Sequence, residues 1–248
     1  MLQLAKECKH LSVFTHISTA YVNCNRTGYI EEKIYDDHLD QEAIVKSIMA
    51  KNDKEVHDNE KKIIGEFPNT YTFTKNLAEK QLRKNLGNVK CVIWRPSIIA
   101  SGLKQPFPGW TDSMSAAGGL TVLGGLGLIQ LVHKPKENNV FDIIPVDIVS
   151  NGLLCATADA SSSAQRLTIY NSATSVQNPI TLEDYKDIVL NFYKFYALRN
   201  QQYTANARFI KSKFQYELRK ELTERLPIRA FSLLANLPFA SPSFKKKV

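Results

Sequence analysis

The sequence predicts an α/β protein with a parallel sheet and a mainly helical C-terminal segment. Two apolar runs, at residues 11–18 and 89–94, are rich in β-branched and aromatic side chains, as is typical of buried strands. An amphipathic helical pattern lies between them, beginning at Pro68 and ending at Gly87. A strand, a helix and a second strand in this order predict a right-handed crossover unit of a parallel sheet.

The remaining N-terminal elements follow from local sequence. Residues 2–7 predict a short helix before the first strand. Residues 23–66 are polar and charged apart from a helical patch at residues 41–49, so they predict an excursion over the surface. The second strand, at residues 89–94, is almost continuously apolar and fits a central strand covered on both faces. The helix between the two strands carries an apolar stripe of Phe73, Leu77, Ala78, Leu82 and Leu86.

Two more strands and a helix follow in the C-terminal half. Residues 141–145 and 166–170 predict the strands. Asp147 predicts the cap of a helix that runs through Ala158.

The last part of the chain is predicted to be helical. Thr181 and Asp184 have the spacing of a capping box, which opens an amphipathic helix that extends to about Arg199. Residues 203–234 have a helical and basic composition that Pro227 interrupts. No internal repeat is visible.

The charge of the chain is concentrated near its C-terminus. Lys and Arg outnumber Asp and Glu by 32 to 24, a formal net charge of +8. Residues 194–248 hold 12 basic and 3 acidic residues, which leaves 20 and 21 for residues 1–193. This excess suits an anionic partner, such as a phosphate-bearing ligand or an acidic membrane surface, although solvated helix faces explain it more simply. No zinc-finger spacing or RNA-binding motif is present, so a nucleic-acid partner is not predicted.

Cysteine spacing and hydropathy exclude further classes. The four cysteines form no C-x-x-C pair, so neither a metal site nor a disulfide framework is predicted, and a reducing intracellular compartment fits best. Charges within residues 1–10 argue against a secretory signal. Residues 114–132 are low in charge and long enough to raise the question of a membrane span. Their glycine pairs favour a loop or a tight turn instead.

Tyr71 and Lys75 are the first candidates for chemistry. They are four residues apart on the predicted helix, so they share one face. A tyrosine phenol is a poor acid at neutral pH unless a nearby cation stabilises the phenolate. Taken alone, Y-x-x-x-K is a weak motif, since a solvated Tyr beside a surface Lys gives the same pattern.

Two hydroxyl side chains strengthen this interpretation. Ser18 and Thr19 lie at the carboxyl end of the first predicted strand, where open α/β sheets place their ligands. A hydroxyl there could hydrogen-bond a substrate carbonyl, although strand-end Ser and Thr are commonly caps. The ordered set of a hydroxyl, Tyr71, Lys75 and a strand ending in R-P-S-I resembles the catalytic triad of the extended short-chain dehydrogenase/reductase superfamily.

The resemblance narrows to one family within that superfamily. Residues 2–199 resemble the alcohol-forming fatty acyl-CoA reductases, whose NAD-binding domain is of the male-sterility type. The motifs that carry it are I-S-T-A-Y-V-N-C-N at residues 17–25, P-N-T-Y-T-F-T-K at residues 68–75, W-R-P-S-I-I at residues 94–99, P-G-W-T-D at residues 108–112 and D-I-I-P-V-D at residues 142–147, continued by Y-N-S at residues 170–172 and N-P-I-T at residues 178–181.

The resemblance implies a role for each matching residue. Tyr71 would donate the proton to the developing alkoxide, and Lys75 would assist it and bind the nicotinamide ribose. Thr19, which directly precedes Ala20 in the S-T-A pattern, or its neighbour Ser18 would hold the carbonyl oxygen. The cofactor-binding residues would be Tyr71, Lys75, Arg95, Pro96, Ser97 and Ile98, although Arg95 and Pro96 also fit a strand end with a stiff exit.

The resemblance also implies a reaction and a setting. NADPH would reduce a long-chain acyl-CoA to the aldehyde and then to the fatty alcohol, with the protein orienting the cofactor's chemistry. The expected location is intracellular, at the peroxisomal or endoplasmic reticulum membrane, with association at a membrane surface. Residues 245–248, K-K-K-V, have the form of a dilysine retrieval tail, although a plain basic terminus is the simpler interpretation.

One expected feature is not found in this sequence. Dinucleotide-binding sheets begin with a strand and a glycine-rich turn that approaches the pyrophosphate, and no such turn precedes Ser18. We therefore expect a partial Rossmann-like sheet lacking its first strands, an N-terminally truncated reductase with impaired cofactor binding, and an apolar sheet edge that needs a partner. Residues 1–199 would be the C-terminal part of the NAD(P)-binding reductase domain, and residues 200–248 the start of the family's C-terminal region.

Two other functions stay open at this point. The chain could be a non-catalytic remnant that serves as an acyl-binding or interaction module. A nucleotide-sugar epimerase of the same superfamily would share Y-x-x-x-K, but it leaves the P-G-W and D-I-I-P-V-D stretches unexplained.

Overall fold

The computed structural model describes residues 1–36, 41–114, 116–134, 139–199, 201, 203–226 and 229. They form two compact units, one of residues 1–117 and 142–179, the other of residues 118–141 and the chain from residue 180 onward. This division by contacts does not follow the predicted boundary at residue 199. That boundary concerns the organisation of the family and stays a prediction. Pro227 and residues 245–248 lie outside the described residues.

The first unit contains the predicted crossover and its surroundings. Its strands are β1 (Phe14–Ile17), β2 (Cys91–Pro96), β3 (Ile98–Ala100), β5 (Ile143–Pro145) and β6 (Leu167–Ser172), and its helices are α1 (Leu2–Glu7), a 3-10 helix (Ala20–Asn23), α2 (Gln41–Met49), α3 (Asp53–Asp58), α4 (Glu60–Ile64), α5 (Thr70–Asn85) and α7 (Val146–Ser162). The predictions of α1, α2 and the long helix before β2 are confirmed.

The central sheet has the order β1-β2-β6, and both pairings are parallel. β2 is the middle strand, and all six of its residues are buried, as predicted for a strand covered on both faces. Val92 and Trp94 pack in one cluster with Val149 and Ala156 of α7. The alternate residues Cys91 and Ile93 pack in another with Leu82 of α5 and Leu86, the residue that follows this helix. This alternation follows from the two-residue period of a strand.

A second, smaller sheet pairs β3 with β5 in parallel. β3 begins two residues after β2 ends, so one stretch of chain passes from the central sheet directly into the smaller one. The Ile98 N–H donates to the Asp142 carbonyl, 3.1 Å away, at the start of this pairing. The connection between β2 and β3 is therefore fixed at both ends by strands.

The prediction that residues 23–66 form an excursion over the surface is partly wrong, because part of this segment packs against α5. Besides α2, it contains α3, which opens with a capping box of Asn52 and Glu55, and α4. Apolar side chains of α2, of α4 and of the residues after α4 pack on the first two turns of α5, at Phe73 and Leu77. They are Ile44, Ile48, Ile63, Ile64 and Phe67.

The prediction that Asp147 caps α7 is wrong. Pro145 stands at the N-cap position, and Asp147 lies within the first turn. Its carboxylate accepts the backbone N–H groups of Leu103 and Lys104, both at 2.9 Å, and of Gln105, at 3.1 Å. These bonds hold the pKa of Asp147 down at about 2. Asp147 therefore fastens the loop after β3 onto α7.

The second unit contains most of α6 (Ala116–Gly125), together with β4 (Leu131–His133), α8 (Leu182–Phe195), β7 (Arg208–Ile210), α9 (Lys213–Lys220) and a π-helical turn (Glu221–Arg225). The capping box of Thr181 and Asp184 is confirmed, and α8 ends at Phe195, four residues before the predicted end. β7 pairs in parallel with β4 and lies in a region predicted as wholly helical. Its three residues are too few to give a periodic signal.

The low-charge run at residues 114–132 contains α6 and the turn that follows it. Gly125 and Gly127 make close contacts, since a Cβ added to them would lie 2.4 Å from the Tyr193 ring and 2.2 Å from the Tyr203 carbonyl oxygen, respectively. The paired glycines at residues 118, 119, 124 and 125 lie within α6, so the prediction of a loop or a turn at these pairs is wrong, and only Gly127 lies in the turn that follows the helix. None of the described helices combines the length and apolarity that crossing a membrane requires.

Candidate active site

The predicted site residues converge on the carboxyl edge of the central sheet. β1 ends at Ile17, and Ser18 and Thr19 follow it directly. The Ser18 N–H donates to the Trp94 carbonyl at 2.7 Å, which extends the β1-β2 pairing by one residue. Because the strands are parallel, the end of β2 reaches the same edge, where open α/β sheets bind their ligands.

Helix α5 brings Tyr71 and Lys75 to this edge. Asn69 caps the helix by accepting the Thr72 N–H at 2.9 Å. Tyr71 lies in the first turn and is 56% exposed, and the Lys75 Nζ atom is 5.9 Å from the centre of its ring. The Lys75 ammonium donates to the Ile17 carbonyl at 2.9 Å. One hydrogen bond therefore ties the helix face that carries Tyr71 to the strand end that carries Ser18 and Thr19.

The two hydroxyl side chains differ in their hydrogen bonding. Thr19 is buried, and its Oγ1 accepts the Tyr21 N–H at 3.3 Å as the cap of the 3-10 helix. This bond uses a lone pair of the oxygen and leaves the O–H proton for another acceptor. Ser18 is also buried, and within the described part of the chain its Oγ has no hydrogen-bond partner. Each hydroxyl therefore keeps an O–H proton for a further acceptor, and the Ser18 Oγ atom is closed off from solvent in this structure.

His16 adds a neutral group beside Lys75. Burial lowers the pKa of this histidine, and the positive charge of Lys75 lowers it further, although Glu79 acts in the opposite direction. The imidazole is therefore kept uncharged near neutral pH, and it places no second cation beside the ammonium. Among the described residues, His16 Nε2 has no hydrogen-bond partner.

Arg95 was predicted to bind the cofactor, and its side chain has another role in the structure. It is fully buried, and its guanidinium donates to the Glu79 carboxylate through Nε at 2.9 Å and through one Nη at 2.6 Å. The same side chain donates to the Lys33 carbonyl at 3.0 Å. The geometry is that of a bidentate structural ion pair between β2 and α5. A contact between Arg95 and a cofactor stays a prediction that the structure does not test.

Pro96, Ser97 and Ile98 form a short connection between the two sheets. The Ser97 N–H donates to the Ser172 carbonyl at 2.9 Å, and Ile98 begins β3. Their backbone is therefore fixed by strand pairing on one side, and Ser97 is buried. Their predicted position beside a nicotinamide ring is compatible with this edge of the sheet, and it stays a prediction.

Sequence reasoning missed two residues that support the site. Asn76 is buried on α5, and its Nδ2 donates to the Val22 carbonyl at 3.1 Å, which holds the turn after Thr19 against the helix. Glu79 binds Arg95 from the next helical turn. Tyr71, Lys75 and Glu79 are each four residues apart, so an extended pattern of Y-x-x-x-K-x-x-x-E was the available signal.

Comparison with known proteins places this geometry in a family. Curated relatives include fatty acyl-CoA reductase 1 of Xenopus laevis, at 32% identity over all of this chain and 48% of the relative, and that of Gallus gallus, at 30% identity with the same coverage. The chain spans about half the length of the curated relatives it matches. A solved structure from Burkholderia cenocepacia, described as an epimerase, shares the fold at a TM-score of 0.52 and 12% identity, over 84% of this chain and 53% of that one.

A match to a family model shows which protein family the chain belongs to. The NAD-binding model described as Male sterility protein matches residues 1–153, more than half of the chain. This match contains Ser18, Thr19, Tyr71, Lys75 and residues 95–98, which are the residues that the structure gathers at one sheet edge. The chain therefore belongs to the male sterility family of NAD-binding proteins.

Proposed function

We propose that these residues form the proton-transfer side of an NADPH-dependent fatty acyl-CoA reductase, which reduces a long-chain acyl-CoA through the aldehyde to the fatty alcohol. The observation that carries the proposal is the hydrogen bond from Lys75 to the Ile17 carbonyl. It sets a cation beside Tyr71, at the strand end from which Ser18 and Thr19 emerge. The names of the relatives support the substrate class.

Each residue has a distinct role in this proposal. The Thr19 or Ser18 hydroxyl donates to the substrate carbonyl oxygen and stabilises the negative charge that develops there. The Tyr71 hydroxyl gives its proton to the resulting alkoxide. Lys75 has three N–H donors, of which Ile17 takes one, so the ammonium can also bind a ribose hydroxyl and favour the phenolate that Tyr71 becomes.

Two reductions are required to reach the alcohol. In the first, hydride adds to the thioester carbonyl carbon, the carbon–sulfur bond breaks, and the coenzyme A sulfur leaves as a thiolate that takes a proton from water. In the second, hydride adds to the aldehyde carbon, and the oxygen takes the proton from Tyr71. Tyr71, Lys75 and residues 96–98 would hold the nicotinamide end of NADPH, and each of the two reductions would use the hydride of one NADPH molecule.

The pyrophosphate and adenosine end of the cofactor has no identified site in this sequence. No glycine-rich turn precedes Ser18, so the backbone amides that usually bind the pyrophosphate are lacking in these 248 residues. We therefore expect the 248-residue chain to bind NADPH weakly and to turn over slowly or not at all. An acyl-binding or interaction module without catalysis is the second candidate function, and the same observation favours it.

The assay for both candidates is NADPH oxidation by the purified chain with a long-chain acyl-CoA, together with calorimetric binding of the acyl-CoA. We expect little oxidation, and any that occurs should be lost in Tyr71→Phe and Lys75→Ala. Tyr29→Phe, at a position 80% exposed, is the matched control and should behave as the wild type. Oxidation that survives Tyr71→Phe would refute the proposed role of Tyr71. Acyl-CoA binding without oxidation would favour the module.

The transcript offers a second test. If the sequence upstream of the Met1 codon encodes a glycine-rich strand and helix in frame, the same variants are assayed in that longer protein. There we expect oxidation at an ordinary enzymatic rate and its loss in Tyr71→Phe. A longer protein that binds NADPH and acyl-CoA and still lacks activity would contradict the proposed reductase.

We further propose that the protein works at the peroxisomal or endoplasmic reticulum membrane, and that a partner covers the outer edge of β1. The location is what the resemblance to fatty acyl-CoA reductases implies, and the pairing of β1 with β2 alone among the described strands supports the partner. Imaging of the tagged protein against markers of both organelles tests the location.

A further inference from the structure

Helix α8 presents an apolar seam to solvent, formed by Ile188, Phe192 and Phe195. These residues are spaced by four and by three positions, so they lie along one face of the helix. Their exposed fractions are 60%, 54% and 82%. Tyr196, which caps the C-terminus of the helix and is 66% exposed, extends the same face. A contiguous exposed apolar strip of this kind marks an interaction surface.

The seam is held in place by the rest of the helix. Val189 and Tyr193, on another face of α8, are buried and pack with Ala205. The Phe192 ring contacts the rings of Tyr193 and Tyr196, with ring centres 5.2 and 4.9 Å away. The central aromatic side chain of the seam is therefore ordered before a partner binds, which lowers the entropy cost of binding.

Charges of both signs flank the seam in a regular order. Asp187 and Lys194 are seven residues apart, about two helical turns, so they lie on the same flank. The Lys194 ammonium donates to the neutral Asn191 side chain at 3.1 Å. Asp187 binds its neighbour Lys186 at 2.9 Å with its own side chain 61% exposed, and such surface pairs are weak enough to exchange partners.

This order of charges fits a second copy of the chain. When two helices pack antiparallel about a two-fold axis, each flank of one seam meets the same flank of the other seam, running in reverse. Asp187 of each copy then comes within reach of the long Lys194 side chain of the other copy, which gives two complementary contacts. We propose that α8 is the interface of a homodimer, in which the two seams pack antiparallel.

Area and charge favour this occupant over a lipid surface. Residues 182–195 contain three acidic and two basic side chains, so the helix has no positive charge to attract anionic lipids. Covering the seam and Tyr196 on both copies would bury roughly 1,000 Å², at the low end for specific interfaces. We therefore expect a dissociation constant in the micromolar range. This inference does not rest on the proposed reductase chemistry.

Sedimentation velocity of the full chain, at concentrations spanning the micromolar range, tests the dimer. Every protein carries Ile17→Lys, so that association through the edge of β1 does not contribute. Phe195→Ser should weaken dimerisation at least about tenfold, because an aromatic side chain of the interface is lost. Phe214→Ser, on α9 and 76% exposed, is the matched control and should dimerise like the parent protein. Both positions are exposed, so the unfolding midpoint should stay unchanged.

Charge reversal tests the antiparallel arrangement. Asp187→Lys and Lys194→Glu should each weaken the homodimer about fivefold or more, because each sets like charges together at two symmetric positions. An equimolar mixture of the two variants should regain the parent affinity, since both contacts of the mixed dimer then join opposite charges. Added salt should reduce the difference between the single variants and the mixture. A folding defect in either variant could not produce this recovery.

Four results would overturn the proposal. Two of them are a chain that stays monomeric throughout the concentration range and a dimer that Phe195→Ser leaves unchanged. A third is a mixture of the charge variants that associates no better than either variant alone, which would exclude the antiparallel contacts. The fourth is a monomeric chain that binds phosphatidylcholine vesicles and loses this binding in Phe195→Ser, which would make a lipid surface the occupant.

Discussion

At the scale of single residues, Arg95 and Glu79 carry opposite charges in a site closed to solvent. Arg95 is fully buried, and Glu79 is 2% exposed. Removing either partner leaves a buried charge without compensation, which costs more than the pair itself contributes. The pair also joins the end of β2 to the helix that carries Tyr71 and Lys75, so it supports the site without facing it.

We expect Glu79→Gln to lower the free energy of unfolding by about 3–5 kcal/mol, because the Arg95 charge then loses its carboxylate. Glu42→Gln is the matched control: Glu42 binds Lys84 at 2.8 Å with both side chains about half exposed. It should cost less than about 1 kcal/mol. Urea denaturation measures both. A cost for Glu79→Gln no larger than that of the control would show that the pair contributes nothing, whereas Glu79→Leu/Arg95→Met should recover much of the loss.

The low pKa of Asp147 predicts how the stability of the fold depends on pH. Its folded pKa of about 2 lies below the value of about 3.9 expected in an unfolded chain. A depressed carboxyl pKa stabilises the fold above the unfolded value, and this stabilisation is lost as pH falls toward the folded value. Asp147→Asn should therefore be less stable than the wild type at pH 6, and the difference should shrink between pH 4 and pH 2.

Unfolding midpoints measured over this pH range provide the check. Asp58→Asn, at an exposed position on α3, is the control and should leave the midpoint unchanged at pH 6. A difference between the wild type and Asp147→Asn that persists unchanged down to pH 2 would exclude the carboxylate charge as its source.

At the scale of elements, α5 and α7 cover opposite faces of the central sheet, and α7 depends on one close approach. A Cβ built on Gly152 of α7 would lie 2.8 and 2.9 Å from two atoms of the Trp94 ring. Trp94 is buried in β2 and packs beside Tyr170, with ring centres 6.1 Å apart, so the indole has little room to move. The absence of a side chain at residue 152 sets the distance between helix and sheet.

We expect Gly152→Ala to destabilise the protein, because overpacking of about 1–3 kcal/mol outweighs the gain of about 1 kcal/mol in helix propensity. Gly124→Ala in α6 is the matched control, since its added Cβ would meet Val189 at an ordinary 3.6 Å. That variant should be neutral or slightly more stable. Thermal melts of the two variants beside the wild type decide the question, and equal midpoints would mean that Trp94 adjusts without cost.

At the scale of the whole molecule, the unpaired edge of β1 in the central sheet favours association with other chains. Among the described strands, β1 pairs only with β2, and Ile17 at its end is 50% exposed. An unpaired strand edge with apolar side chains is a template for association with another chain. We therefore expect the free 248-residue chain to self-associate or to be poorly soluble unless a partner covers this edge.

Ile17→Lys should reduce that association, because a charged side chain on an edge strand opposes further pairing. Val176→Lys adds the same charge at a position 78% exposed outside the strands and is the control. Sedimentation velocity over a tenfold range of concentration gives the readout. A dilute wild-type monomer with a sharp, cooperative melt would count against the hypothesis.

Local sequence determined the elements with strong periodicity and their order. The six residues of α1, the nine of α2, the capped start of α8 and the buried strand β2 were all predictable, since each depends on spacing, caps or a continuous apolar run. The same holds for Tyr71 and Lys75, whose shared face follows from helix geometry alone. Strand β7 and helix α4 were missed, because three to five residues carry too little pattern, and helix α6 was missed because its glycine pairs favoured a loop.

Only the tertiary structure decided which groups meet across the chain. Ile17 and Lys75 are 58 residues apart, and the sheet edge brings the carbonyl of one to the ammonium of the other. Asp147 looked like a local cap, yet its carboxylate binds three amides 42 to 44 residues away. Arg95 lies at the end of β2, and burial pairs its guanidinium with Glu79, 16 residues earlier in the chain. In each case burial and pairing fix the partner of a polar group, and neither is encoded by the residues next to it.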